Sequence, residues 1–145
     1  MNVPEEIQKE YHVVIDSLID LNKKYREAFS SKIEDLLSPG LYAMECCTVK
    51  VDIGRQTGKS SYIRQHAGPH DLVITFNEAS AREIGRDLSS SVVCVRDLDV
   101  DVKYIKPLNK VYIDEPQAVF RIIPAVTIYN LLTMNNQKPT FILLG

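Results

Sequence analysis

Apolar residues recur at steps of three or four through the first third of the chain: Ile7, Tyr11, Val14, Leu18, Leu21, Tyr25 and Phe29. That spacing predicts a long amphipathic helix with one apolar stripe. Pro4-Glu5-Glu6 suits its first turn, where a proline loses nothing and two acids face the positive end of the helix dipole. Ser30-Ser31 offers a place to break, Ile33, Leu36 and Leu37 continue the stripe, and Ser38-Pro39-Gly40 ends it. The stripe reads as a core-packing face, with docking of a partner as the alternative.

From Leu41 onward the pattern changes to short apolar runs separated by turns and helices. Cys47 to Ile53 is rich in β-branched residues, and Gly54 to Gly58 forms a turn. Ser60 to His66 starts a helix that Gly68-Pro69 closes. Leu72 to Phe76 is a short strand, and Asn77 caps a helix from Glu78 to Leu88. Val92 to Val95 and Val111 to Ile113 are further strands. Pro116 to Leu132 holds a helix with a kink or restart at Pro124, closed by Asn135-Asn136, and Phe141 to Leu144 is the last strand. Such alternation predicts an α/β fold, a three-layer sandwich around a mainly parallel five-stranded sheet. Residues 1–40 form the N-terminal helical segment and residues 41–145 the core.

Composition narrows the function class. With 145 residues, 45% of them hydrophobic, the chain can bury the core of one domain. A net charge of -2 supplies no general field for DNA or RNA, so any such contact needs a local patch or a second subunit. Cys46, Cys47 and Cys94 sit in apolar stretches and lack zinc spacing, which makes them small buried hydrophobes. The acidic N-terminus carries no apolar signal region, and no run approaches the ~20 apolar residues that span a bilayer. A soluble, intracellular protein without membrane partners is expected. His12, His66 and His70 are scattered and read as surface or capping residues. Arg82, Arg86, Arg96, Lys103, Lys106 and Lys110 alternate with acids and read as a solvated mixed surface.

The candidate chemistry lies in Gly58-Lys59-Ser60, which follows a strand and opens a helix. Backbone N–H groups of the turn and first helical residues converge where the dipole also favours an anion. Glycine at 58 lets the backbone curl close to phosphate without a Cβ clash. Lys59 would reach the β- and γ-phosphates of a nucleoside triphosphate, and the Ser60 hydroxyl would ligate Mg²⁺. The spacing is irregular, because G-x-x-x-x-G-K-[ST] would place a glycine at 53. Ile53 stands there, and Gly54 follows one residue later. Val111-Tyr112-Ile113-Asp114-Glu115 is an apolar strand ending in two acids. In a parallel sheet the carboxyl ends of the strands share an edge, which puts Asp114 beside Lys59. Asp114 would then hold Mg²⁺ and Glu115 would orient the attacking water.

These parts, in this order, resemble the additional-strand P-loop NTPases with a catalytic glutamate. They are most similar to the RecA-like ATPase domain of helicases and phage terminase large subunits. Gly54-Arg55-Gln56-Thr57-Gly58-Lys59-Ser60 resembles the terminase-style loop, in which an arginine and often a glutamine precede Gly-Lys. Asp114-Glu115-Pro116-Gln117 resembles helicase motif II, Thr75 to Ala81 stands where motif Ia borders nucleic acid, and Thr140 to Gly145 matches the strand leading to motif III. The resemblance covers about Cys46 to Gly145. It implies that ATP with Mg²⁺ binds through Gly54, Gln56, Thr57, Gly58, Lys59, Ser60 and Ser61. It also implies that Arg55 acts on the γ-phosphate in cis alongside catalytic Lys59 and Glu115. The last strand is expected between the strand entering the loop and the strand ending in Asp114.

The expected function is ATP binding and hydrolysis coupled to DNA or RNA handling. Because the chain stops at Gly145, where the family's coupling segment begins, a homo-oligomer or a larger protein partner is expected to complete the site. A regulatory or adaptor module that binds nucleotide with little hydrolysis stands as the alternative. Base preference between ATP and GTP has no motif to read.

Overall fold

The computed structural model of the chain describes residues 4–53, 58–86, 88–98, 107–134 and 137–145, the side chains of residues 30–32 apart. Its first element is a long helix, α1 (Glu5–Ile33), followed by a 3₁₀ turn (Glu34–Leu36). Then come α2 (Pro39–Cys46), β1 (Thr48–Val51), α3 (Lys59–His66), β2 (Asp71–Thr75), α4 (Glu78–Gly85) and β3 (Ser91–Cys94). After a second 3₁₀ turn (Val95–Asp97) follow β4 (Lys110–Asp114), α5 (Pro116–Ile122), α6 (Ala125–Leu132) and β5 (Thr140–Leu144).

The five described strands form one all-parallel sheet in the order β1-β5-β4-β2-β3. The last strand therefore lies between β1 and β4, as expected. Alternation along each strand divides the core into two layers. Leu72, Ile74, Val111, Ile113, Phe141 and Leu143 pack on one face with Tyr42, Cys46, Val119, Ile128, Tyr129 and Leu132 from α2, α5 and α6. Val49, Val51, Val73, Tyr112, Ile142 and Leu144 pack on the other with Tyr11, Ile15, Tyr62, Ile63 and Ile84 from α1, α3 and α4. A sheet covered on both faces explains why its strands read as nearly continuous apolar runs.

Two features of the N-terminal third differ from the sequence reading. Ser38-Pro39-Gly40 does not close the helical region but opens α2. The Ser38 hydroxyl accepts from the Leu41 N–H at 3.3 Å, and Pro39 occupies the first turn, where it gives up no hydrogen bond. The same tripeptide chemistry serves a helix start and a helix stop, and here the cap decides. A Cβ added at Gly40 would collide with the Asn130 side chain, so glycine there lets α2 and α6 approach closely.

The second difference is the rotation of α1 about its axis. Tyr11 and Ile15 are fully buried, but Ile7, Val14, Leu21, Tyr25 and Phe29 stay exposed. The buried face continues through polar anchors. Asn22 Nδ2 donates to the Cys46 carbonyl at 2.9 Å, and Arg26 donates to Thr140 Oγ1 at 2.8 Å and to the Lys138 carbonyl at 3.1 Å. Hydrophobic periodicity alone could not locate a face held by an amide and a guanidinium. It aligned instead with a stripe that faces outward.

Candidate functional site

The parallel register carries β1, β5 and β4 to a common edge, and backbone bonds lock that edge. The Glu115 N–H donates to the Leu144 carbonyl at 3.1 Å, and the Gly145 N–H to the Val51 carbonyl at 2.9 Å. Beyond β1 the chain passes Asp52 and Ile53 and returns at Gly58, the residue that caps α3. Gly58 has φ +100°, in the left-handed region where a Cβ is strained. A Cβ there would also lie 3.2 Å from Gln8 Cγ, so the first turns of α1 pack against the start of α3.

Lys59 is the first residue of α3, and its ammonium is paired with Glu115 Oε1. Its side chain is 13% exposed, against 46% for Glu115, so the cation is set into the edge while its partner faces solvent. Glu115 has φ 53° and ψ 64° and caps α5, whose first residue is Pro116. Among the described residues it is the non-glycine residue with positive φ. This conformation costs about 1 kcal/mol or more for a residue with a Cβ, and such outliers concentrate at functional sites.

Asp114 ends β4 on the sheet face that carries α3 and is 7% exposed. Burial pushes its carboxyl up to about 6; the Lys59 ammonium pulls it down, while the Glu115 and Glu83 carboxylates push it further up. Near neutral pH it is mostly ionised, a buried anion with too little compensation from the protein. That donor chemistry fits a hard divalent cation. Mg²⁺ takes one or two protein oxygens and completes its shell with water and phosphate. Ser60 and Ser61 stand half-buried on the same first turn as Lys59, and Gln65 Nε2 donates to Ser61 Oγ at 3.2 Å.

The structure thus brings Lys59, Asp114 and Glu115 together and places Gly58, Ser60 and Ser61 at the start of the same helix. Gly54, Arg55, Gln56 and Thr57 lie outside the described residues, as do Lys103, Lys106, Asn135 and Asn136. Arg82 and Arg86 line a cavity with Ser90 and Val92, between α4 and β3.

Sequence reasoning missed the support behind α3. Tyr62 donates its hydroxyl to Asp16 Oδ1 at 2.7 Å and stacks on His66 with ring centroids 4.0 Å apart. His12 meets both rings edge-on, at 5.1 Å from Tyr62 and 5.4 Å from His66. Two of the three histidines are therefore joined rather than scattered, and His12 Nε2 is buried without a described partner. The signal was the i, i+4, i+8 series Gln8, His12, Asp16 on α1 against Tyr62 and His66 on α3, a polar seam between two helices. Periodicity of apolar residues passes over such a seam.

No family model and no curated protein matches the chain. Among the described residues no helix is long and apolar enough to cross a membrane.

Proposed function

We propose that this chain is a P-loop nucleoside triphosphatase domain that binds ATP with Mg²⁺ and is coupled to nucleic-acid handling, as a helicase- or terminase-like motor half. The observation that carries the reading is the meeting of Lys59, Asp114 and Glu115 at the carboxyl edge of a parallel sheet. Lys59 supplies a fixed cation at a helix N-terminus, where backbone N–H groups add to its attraction for phosphate. Asp114 and Ser60 are the oxygen ligands for Mg²⁺, which would neutralise phosphate charge and lower the barrier to cleavage of the terminal phosphoanhydride. Glu115 orients the attacking water and accepts its proton, for which a carboxylate at the solvent margin is suited. On the resemblance, Arg55 acts on the same terminal phosphate, and Gly54, Gln56 and Thr57 contribute the rest of the loop.

The pairing of Lys59 with Glu115 favours a second reading, a regulatory or adaptor module that holds nucleotide without turning it over. In that state the glutamate is tied to a cation instead of a water.

One experiment separates the two. MgATP hydrolysis is measured with and without single- and double-stranded DNA or RNA, for the natural chain and for Glu115→Gln. Turnover stimulated by nucleic acid and lost in the variant supports the motor. Binding without turnover in every condition supports the module, and no binding at all removes both.

A further inference from the structure

The exposed stripe on α1 has no role in the site described above. Ile7, Val14, Leu21 and Tyr25 are 45%, 43%, 63% and 40% exposed and fall in one line along the helix. Scattered exposed apolar residues are ordinary, but a continuous line of large ones marks an interaction surface. Its position in the fold is equally specific. α1 meets α3 through His12 and Asp16, roughly opposite on the helical wheel from Val14 and Leu21. The stripe therefore points away from α3, on the side of β1, which is the edge strand of the described sheet.

From this we infer that α1 pairs with α1 of a second copy of the chain, antiparallel, about a two-fold axis near its midpoint. Charge selects both the occupant and the direction. The N-terminal half of α1 is net acidic (Glu5, Glu6, Glu10 and Asp16 against Lys9) and the C-terminal half net basic (Lys23, Lys24, Arg26 and Lys32 against Asp20 and Glu27). Lys24 is also paired to Asp20 of its own helix at 2.9 Å. Glu6, Glu10 and Lys24 flank the stripe on one side. In a two-fold antiparallel pair that flank faces itself, so Val14 sets against the partner's Leu21 and Glu10 against the partner's Lys24, twice by symmetry. A parallel two-fold pair would instead set that flank against the partner's opposite flank, which carries Leu18 and Phe29, and would leave Glu10 and Lys24 without this pairing. α1 has 29 residues and is roughly 43 Å long at the α-helical rise, enough for several turns of such contact. The pairing also extends the helical layer past β1 and shelters an open strand edge. It stands independently of the nucleotide reading.

The test is the solution mass of the nucleotide-free chain by sedimentation, from about 1 to 200 µM, a range suited to a helix-pair interface of modest area. A monomer–dimer equilibrium is expected. Leu21→Glu, at an exposed position, should weaken it at least about tenfold while leaving the melting temperature unchanged at concentrations where the natural chain is monomeric. Glu10→Lys and Lys24→Glu should each weaken it, and the double charge swap should restore it. A monomer across the whole range overturns the proposal. So does a dimer indifferent to Leu21→Glu, or one that the double swap fails to rescue. Lys59→Ala should dimerise like the natural chain, so a failure of the nucleotide site leaves this outcome readable.

Discussion

Lys59 and Glu115 are ion-paired across the carboxyl edge of the sheet, joining the first residue of α3 to the cap of α5. On the proposed function this pair is the resting form of the site, since a triphosphate and Glu115 compete for the same ammonium. Replacing Glu115 with Gln removes the competing charge. MgATP affinity should therefore hold or tighten by up to about tenfold, while turnover falls by roughly a hundredfold or more. Nucleotide titration and single-turnover hydrolysis on one preparation check both halves. Weaker binding in the variant would show that Glu115 supports the phosphates instead of restraining Lys59.

Lys59→Ala isolates the other partner. It should remove triphosphate binding by about a hundredfold or more, because a charge-assisted contact to phosphate in a partly buried site has no substitute. The Glu115 left behind is half exposed and solvates readily. The buried Asp114, however, loses the ammonium that favours its charged form, so stability should fall near pH 8 and hold near pH 4. A fluorescent nucleotide titration beside a thermal melt reads both quantities. Unchanged affinity would mean that Lys59 does not face a phosphate.

Asp114 gives a pH-dependent prediction with a definite sign. Its folded pKa, about 6, lies above the unfolded value of 3.8, so the folded state holds the extra proton between them. Stability from this group is greatest below pH 3.8 and falls as pH rises through 6. Asp114→Asn removes the buried charge and should stabilise the free protein by about 2–3 kcal/mol near pH 8, with little gain near pH 4. Chemical denaturation at the two pH values checks it. A gain of equal size at both would trace to packing instead of ionisation.

Such a gain would also explain why the meeting of Lys59 with Asp114 and Glu115 was legible in sequence. Residues kept against stability stand out: a glycine before a lysine at a helix start, and two acids after an apolar strand. The sheet was legible for a related reason, since strands buried on both faces are apolar throughout, as Leu72 to Ile74 and Phe141 to Leu144 show. What escaped were contacts made by polar side chains at long range. Asn22 and Arg26 set the rotation of α1, and Asp16 and His12 meet Tyr62 across helices separated by the whole of β1. No local period encodes them. The Ser38 cap escaped because serine-proline-glycine carries signals of both a start and a stop.

Gly58 tests the backbone of the turn. With φ +100° and Gln8 Cγ 3.2 Å from the place of a Cβ, alanine there is both strained and crowded. Gly58→Ala should destabilise the fold by about 1–2 kcal/mol and weaken nucleotide binding. Adding Gln8→Ala relieves the crowding but leaves φ unchanged. If the double variant recovers most of the loss, contact with α1 is what selects glycine; if it recovers little, the left-handed backbone is.

The seam between α1 and α3 predicts acid sensitivity. Burial, and the neighbouring His66, hold His12 below its ordinary 6.5, while Asp16 opposes the shift. The unfolded chain therefore binds the proton more readily, and stability rises with pH through this range and is lost as pH falls below about 6.5. Protonation would place a charge against His66 and against the rings of Tyr62, at the helix that starts with Lys59. His12→Gln should flatten this part of the profile. The variant's melting temperature should approach or pass that of the natural chain as pH falls from about 8 to 5.5. Asp16→Asn should steepen it, because the carboxylate that favours the charged imidazole is gone. Parallel melting profiles for all three chains would show that His12 does not titrate in this seam.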